Sequence, residues 1–233
     1  FAPLFYKCGE FARRLLGGRC VLCSAPAEAG NLCQACGESL PYLPQNRCPV
    51  CALPTPTGEI CGGCLAEPPE FDSTSAIVAY HFPADCLIHA FKYQGWLALA
   101  GTLVELLLRS PPAPLPDFLI PMPLAPARLR ARGFNQALEI ARRLAVRTGT
   151  PLMAQACKRV RDTAPQVELP WKARVKNIRG AFACDADLTG MRVAIVDDVM
   201  TTGATLNELA KVLRRRGAKE VTAWVVARTL RRD

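Results

Sequence analysis

Eight of the chain's 12 cysteines fall in a repeated spacing that leaves little choice of local fold. Cys20-x2-Cys23-x9-Cys33-x2-Cys36 recurs 28 positions later as Cys48-x2-Cys51-x9-Cys61-x2-Cys64. An internal repeat of this kind marks two copies of one supersecondary unit. Each C-x-x-C turn presents two thiolates on one side, and two such turns complete a tetrahedral set of four. That is the donor set of a closed structural Zn2+ site, with no open position for chemistry. Pro26, Gly30, Pro54, Pro56 and Gly58 occupy the connecting loops, as ribbons require. Joining the first C-x-x-C with the second and the third with the fourth keeps each repeat self-contained, so two sequential sites are expected rather than a cross-brace. Disulfides are disfavoured without a secretion signal, and redox C-x-x-C pairs normally occur once, beside a βαβ pattern. Iron–sulfur ligation uses the same donors and stays open on spacing alone. Cys8, Cys86, Cys157 and Cys184 lie outside the pattern and fit small buried hydrophobes.

The Pro-Pro pair within residues 66–70 ends local structure, so a double zinc ribbon over residues 1–70 precedes a second domain over 71–233. In that second part, apolar runs at 73–82, 118–122, 151–160, 180–184, 193–196 and 220–229 read as strands. Helical spacing covers 85–91, 97–109, 137–147 and 206–216. Strands alternating with helices imply an α/β fold with a mainly parallel sheet flanked by helices. Half of all residues are hydrophobic, which is enough to build a core and argues against global disorder. The longest apolar run, residues 97–108, is too short for a membrane span and contains Glu105. The chain opens on Phe1, and Lys7, Glu10, Arg13 and Arg14 interrupt its first residues. This does not fit a signal peptide, so a cytoplasmic location is expected.

Chemistry concentrates at Val193 to Thr205. A β-branched apolar run, expected to be a buried strand, stops at Asp197 and Asp198. A small-residue turn, Thr201-Thr202-Gly203-Ala204-Thr205, then opens a helix with Leu206, Leu209, Ala210 and Leu213 on one face. Free N–H groups at a helix start bind phosphate, threonine hydroxyls add donors, and Gly203 lets the backbone approach. The two carboxylates suit sugar hydroxyls and Mg2+ rather than phosphate itself. A phosphate beside vicinal hydroxyls suggests a ribose 5-phosphate. No P-loop lysine and no G-x-G-x-x-G accompany the turn, which counts against a nucleoside triphosphatase or a dinucleotide site. The stretch resembles the phosphoribosyl pyrophosphate (PRPP) motif of type I phosphoribosyltransferases.

The net charge of +9 is uneven: residues 1–70 carry −1 and the remainder +10. A polyanion would therefore meet the C-terminal part. Arg128, Arg130 and Arg132 precede a glycine and a helix start, where planar guanidinium forks can grip an anion or simply form a basic, solvated helix face. Lys92 beside Gly95 is in reach of a phosphate or simply solvated. Residues 158–179 hold seven Lys/Arg against two acids without clean periodicity. A long basic irregular segment suits a lid over a pyrophosphate leaving group. Tyr93, Trp96, Phe134 and Trp171 lie in basic neighbourhoods, as stacking partners for single-stranded DNA would, though with aromatics at only 7% of residues a place in the core is the other reading for most of them.

Taken together, the ribbons, L-I-H-A-F-K-Y-Q-G from Leu87, I-P-M-P-L from Ile120, R-x-R-G-F-N-Q-A from Arg130, and V-D-D-V-M-T-T-G-A-T from Val196 resemble the ComF family of competence proteins. The likeness covers about residues 20–228. It implies a type I phosphoribosyltransferase-like domain behind a double zinc ribbon, in a cytoplasmic protein of natural transformation. Such proteins are expected to handle single-stranded DNA beside a helicase-like ATPase. By the same resemblance, Asp197 and Asp198 contact the ribose hydroxyls and Mg2+, and Thr201, Thr202, Gly203, Ala204 and Thr205 hold the 5-phosphate. Pro123 borders the pyrophosphate, and Arg161 and Arg174 belong to a loop over it. The residues give no recognisable nucleobase pocket. Two functions therefore stand side by side: a DNA-processing accessory protein that binds Mg-PRPP, and an active amidophosphoribosyltransferase-like enzyme of nucleotide metabolism.

Overall fold

A computed structural model describes residues 18–27, 31–111, 113–161 and 178–230. The chain begins with two short paired strands, β1 (Gly18–Arg19) and β2 (Pro26–Ala27), and the short helices α1 (Gln34–Glu38) and α2 (Gly62–Ala66). Then follow β3 (Ser73–Ala79), α3 (Ala84–Tyr93), α4 (Leu99–Leu107), β4 (Phe118–Pro121), α5 (Pro126–Arg132) and α6 (Gln136–Thr148). After them come β5 (Cys157–Arg159), β6 (Phe182–Cys184), β7 (Arg192–Met200), α7 (Ala204–Arg215) and β8 (Glu220–Arg228).

Four strands form one sheet in the order β3-β8-β7-β4, and every pair is parallel. Strands β5 and β6 pair antiparallel beside it, with Cys157 opposite Cys184. The uninterrupted apolar run of β7 follows from its central place, where both sheet faces are covered. Val193 and Ile195 point into a layer with Leu206, Leu209 and Leu213 of α7. Ala194 and Val196 point the other way, among Leu103 of α4 and Ile140 and Leu144 of α6. Full burial of each such Val, Leu or Ile contributes about 1.5–3 kcal/mol. The sheet with its flanking helices is the predicted α/β class.

Several boundaries differ from expectation. The central strand does not stop at the acids: β7 runs through them to Met200, because backbone pairing with β8 continues at Asp197–Val225, Val199–Ala227 and Met200–Arg228. Ladder hydrogen bonds need no apolar side chain. The residues expected as a strand over 151–160 form only β5, plus one bridge from Leu152 to Leu119. The arginine cluster precedes the long helix but occupies its own short one, α5, started by Pro126 and ended by Gly133 in a left-handed conformation. Cys157 and Cys184 are buried as expected, whereas Cys86 is exposed and Cys8 lies outside the described residues.

Candidate functional site

The two cysteine repeats assemble as separate clusters. Cys20, Cys23, Cys33 and Cys36 form one, and Cys48, Cys51, Cys61 and Cys64 the other, with the sulfurs of each set within 4.8 Å of one another. Neighbouring sulfurs stand 3.6 Å apart at Cys23–Cys33 and at Cys51–Cys61. A tetrahedral ion with Zn–S bonds of about 2.3 Å needs sulfurs about 3.8 Å apart, so the donor set fits. Burial opposes ionisation of Cys20, but backbone N–H groups of Cys33, Cys23 and Leu22 outweigh it and bring the thiol down to about 6. Cys48 behaves alike at about 7. Their partners Cys36 and Cys64 are pushed up, the first mainly by its hydrogen bond to Cys23, the second by burial. Ionising all four thiols of a set so close together would need a cation among them, which is the electrostatics of a closed metal site.

The second candidate site lies at the carboxyl end of β7, where a cleft of about 810 Å³ opens. Parallel strands place loops with unpaired backbone groups at that end of the sheet. Asp197 and Asp198 stand on the last part of β7 and point to opposite sides of the strand. Asp198 is 2% exposed and forms an ion pair with Lys92 Nζ at 2.8 Å. Burial disfavours the Lys92 ammonium, yet the Asp198 carboxylate more than offsets this and raises its pKa. Asp197 accepts a hydrogen bond from Asp198 N at 2.9 Å. Burial, and then the neighbouring Asp198 charge, push Asp197 up to about 8, with only partial relief from Lys92 and that N–H.

Past Met200 the chain turns through Thr201 and Thr202 into α7. Gly203 sits at φ 81°, and a Cβ there would come 2.7 Å from Met200 Cε. The positive φ is what favours glycine here, since the Met200 methyl ends a flexible side chain that can move aside. As the residue before the helix it supplies no capping side chain, while Thr202 Oγ1 accepts from Ala204 N at 3.3 Å. Pro123 arrives from β4, whose register against β7 is held by Met122 N donating to Val196 O at 2.9 Å. Asn135 caps α6 through Ala137 N at 3.0 Å and donates to Met122 O at 3.1 Å, bracing the Pro123 turn.

Of the residues singled out by sequence, Asp197, Asp198, Pro123 and Thr201 to Thr205 line one cleft. Arg161 does not line it; its guanidinium donates to Arg179 O at 2.8 Å. Arg174 lies outside the described residues. Of the arginine cluster, Arg128 lines the cleft, whereas Arg132 sits over the Tyr93 ring at 5.1 Å. Tyr93 and Trp96 are 63% and 48% exposed; Phe134 packs on Phe91, and Trp171 is outside the described residues. A smaller cavity of about 350 Å³ adjoins the cleft and shares Lys92, Tyr93 and Arg128 with it.

Tyr80, Leu53, Arg159 and Arg228 also line the cleft, and sequence reasoning did not single them out. For Lys92 the sequence offers a reach toward phosphate or a solvated charge, and neither points to Asp198. No local pattern marks these residues, because the sheet register and the ribbon bring them in from distant segments. For Arg228, the one signal was a charge at the end of an otherwise apolar strand.

Both parts of the chain match known families. The double zinc ribbon domain family matches residues 11–65, and the phosphoribosyl transferase domain family matches residues 130–232. The chain is 36% identical over 173 residues to the DNA utilization protein YhgH of Salmonella typhi, covering 71% of this chain and 76% of that protein. It is 36% identical over 174 residues to Competence protein F of Haemophilus influenzae, covering 70% and 76%. Among solved structures, the glutamine PRPP amidotransferase from B. subtilis superposes with a TM-score of 0.36 at 20% identity, over 54% of this chain and 24% of that one. That superposition is too partial to argue from.

Proposed function

The chain belongs to the ComF family of competence and DNA utilization proteins, and from that membership we propose that it binds Mg-PRPP at the carboxyl end of β7 while acting on incoming single-stranded DNA. The observation that carries the reading is the convergence of Asp197, Asp198, Pro123 and the 201–205 turn on one cleft. In this reading the α7 start and the threonine hydroxyls hold the 5-phosphate. Asp197 and Asp198 accept the ribose hydroxyls and face Mg2+, whose charge would offset the burial and repulsion now acting on Asp197. Lys92 pairs with Asp198 and holds it in place, and Pro123 with Arg128 borders the pyrophosphate. Arg161 and Arg174 belong to the segment proposed to close over it. The two four-cysteine clusters are read as structural Zn2+ sites. Location in the cytoplasm and work beside a helicase-like ATPase are part of the same proposal; among the described residues no helix is long and apolar enough to cross a membrane.

Titration of the protein with PRPP, with and without Mg2+, tests the reading by calorimetry. Saturable binding that weakens when Mg2+ is withdrawn is expected; no heat at millimolar PRPP would sink it.

The adjoining cavity favours a second reading, turnover in the manner of an amidophosphoribosyltransferase, since it leaves room for an acceptor beside the sugar. A nitrogen nucleophile would form its bond to ribose C1 as the C1–O bond to pyrophosphate breaks and pyrophosphate leaves with both electrons. Pyrophosphate release across a panel of amines and bases decides it: release supports an enzyme, and none across the panel supports a binding role.

A further inference from the structure

The two ribbons share one spacing but sit in different settings. The first packs Val21, Leu22 and Leu32 against the layer of α3, α4 and α6. Its Asn31 donates to Ala98 O at 3.1 Å, and among the described residues none of it lines the cleft. The second is built into the opposite layer: Cys48, Cys51 and Ala52 are buried with Met200, Ala204 and Leu206. Thr74 of β3 donates from its N–H to Pro49 O at 3.1 Å and from its hydroxyl to Val50 O at 2.6 Å, clamping the Cys48–Cys51 turn to the sheet. Leu53, two residues beyond Cys51, lines the cleft itself.

Arg228 joins this turn to the phosphate loop. It is 4% exposed, at the end of β8. Its Nε donates to Cys51 O at 2.7 Å, and its Nη1 donates to Met200 O at 3.2 Å, to Thr229 O at 2.7 Å and to Thr201 O. A guanidinium presents its donors in a rigid planar fork, so these carbonyls hold one another in place through it. A buried cation is tolerated only while its hydrogen bonds are kept. Displacing the Cys51 carbonyl therefore disturbs the backbone of Met200 and Thr201, directly ahead of Gly203.

We propose that the second four-cysteine site is a structural part of the ribose-phosphate site, with Arg228 as the positioning residue through which metal occupancy at Cys48, Cys51, Cys61 and Cys64 sets the 201–205 loop, whereas among the described residues the first site has no such link. The proposal rests on the reading of that loop as the phosphate binder. Its test therefore follows the loop directly as well as the ligand.

Hydrogen–deuterium exchange over residues 198–206, metal content per chain and Mg-PRPP calorimetry are compared for the wild type, Arg228→Met, Arg228→Lys, Cys61→Ser and Cys33→Ser. Arg228→Met is expected to keep both metal ions, to speed exchange in 198–206 and to weaken Mg-PRPP binding about tenfold or more, the scale of losing hydrogen bonds to a charged group. Arg228→Lys restores the charge without the fork and falls between. Cys61→Ser is expected to lose one metal equivalent and loosen the same segment; Cys33→Ser loses one and leaves that segment unchanged. Should Cys61→Ser fail to fold, the two Arg228 variants decide. Exchange in 198–206 unaltered by Arg228→Met, or loosened equally by Cys33→Ser, would overturn the proposal. A wild type that ignores PRPP while its loop still responds to Arg228→Met would refute the ligand reading and leave the coupling standing.

Discussion

At the residue scale the site is organised by two adjacent carboxylates with unequal surroundings. Asp198 has Lys92 as a counter-ion at 2.8 Å, and Asp197 has burial and a like charge against it. The folded chain holds the Asp197 proton up to about pH 8, an unfolded chain only to 3.8. The folded state thus binds more protons between those values, and stability must fall as pH rises across them. Asp197→Asn should remove that slope and stabilise the ligand-free protein by about 1–2 kcal/mol at pH 8. Urea unfolding at pH 5 and pH 8 measures both effects, and a variant with the wild-type slope would speak against the assignment. Asp198→Asn should act oppositely, costing about 3 kcal/mol, because it strands the Lys92 ammonium in a buried position. The acids were legible in the sequence because they are contiguous with the turn they serve. Lys92 was legible only as a charge near Gly95; its pairing depends on how α3 packs beside β7, which no local spacing encodes.

At the element scale, the β7–turn–α7 unit was read correctly in kind and incorrectly in extent. The apolar pattern ends at Val196, but the strand continues to Met200 because β8 supplies paired backbone groups up to Arg228. Hydrophobic periodicity reports side-chain burial rather than ladder length, so such an extension is invisible to it. The turn was legible because its conformation needs a specific residue. Gly203→Ala puts a side chain at a φ of 81° that L residues rarely adopt, and the Met200 methyl must move aside. It should cost about 2 kcal/mol or more by thermal unfolding. Mg-PRPP affinity should fall with it. An alanine variant that melts like the wild type would show that the loop is not held in this conformation. The arginine cluster shows the converse: its charge was legible, but not which arginine faces the cleft, since that depends on the rotation of α5.

At the scale of the whole molecule, the cysteine repeat announced the N-terminal ribbons, and strand–helix alternation the parallel sheet. How the two fit together was not legible. The Cys48–Cys51 turn shares a core layer with Met200 and Leu206, and Arg228 bonds to Cys51, 177 positions away in sequence. Removal of metal by a strong chelator should therefore lower the melting temperature of the entire chain, not of a detached module, and calorimetric scans with metal restored would check it. The +10 charge beyond residue 70, with Tyr93 and Trp96 exposed, predicts salt-sensitive single-strand binding. Affinity should fall about twentyfold between 50 and 200 mM salt if three or so phosphates are contacted. Fluorescence anisotropy with labelled oligonucleotides measures this, and a salt-independent affinity would exclude the basic surface as the contact. The proposed binding of a ribose phosphate at the carboxyl end of β7 depends on its two acids and its turn. Calorimetry with Mg-PRPP on the wild type and on Asp197→Asn/Asp198→Asn, each checked for a cooperative melt, addresses it most directly: binding by the wild type and its loss in the folded variant is the predicted result, and equal binding by both would contradict it.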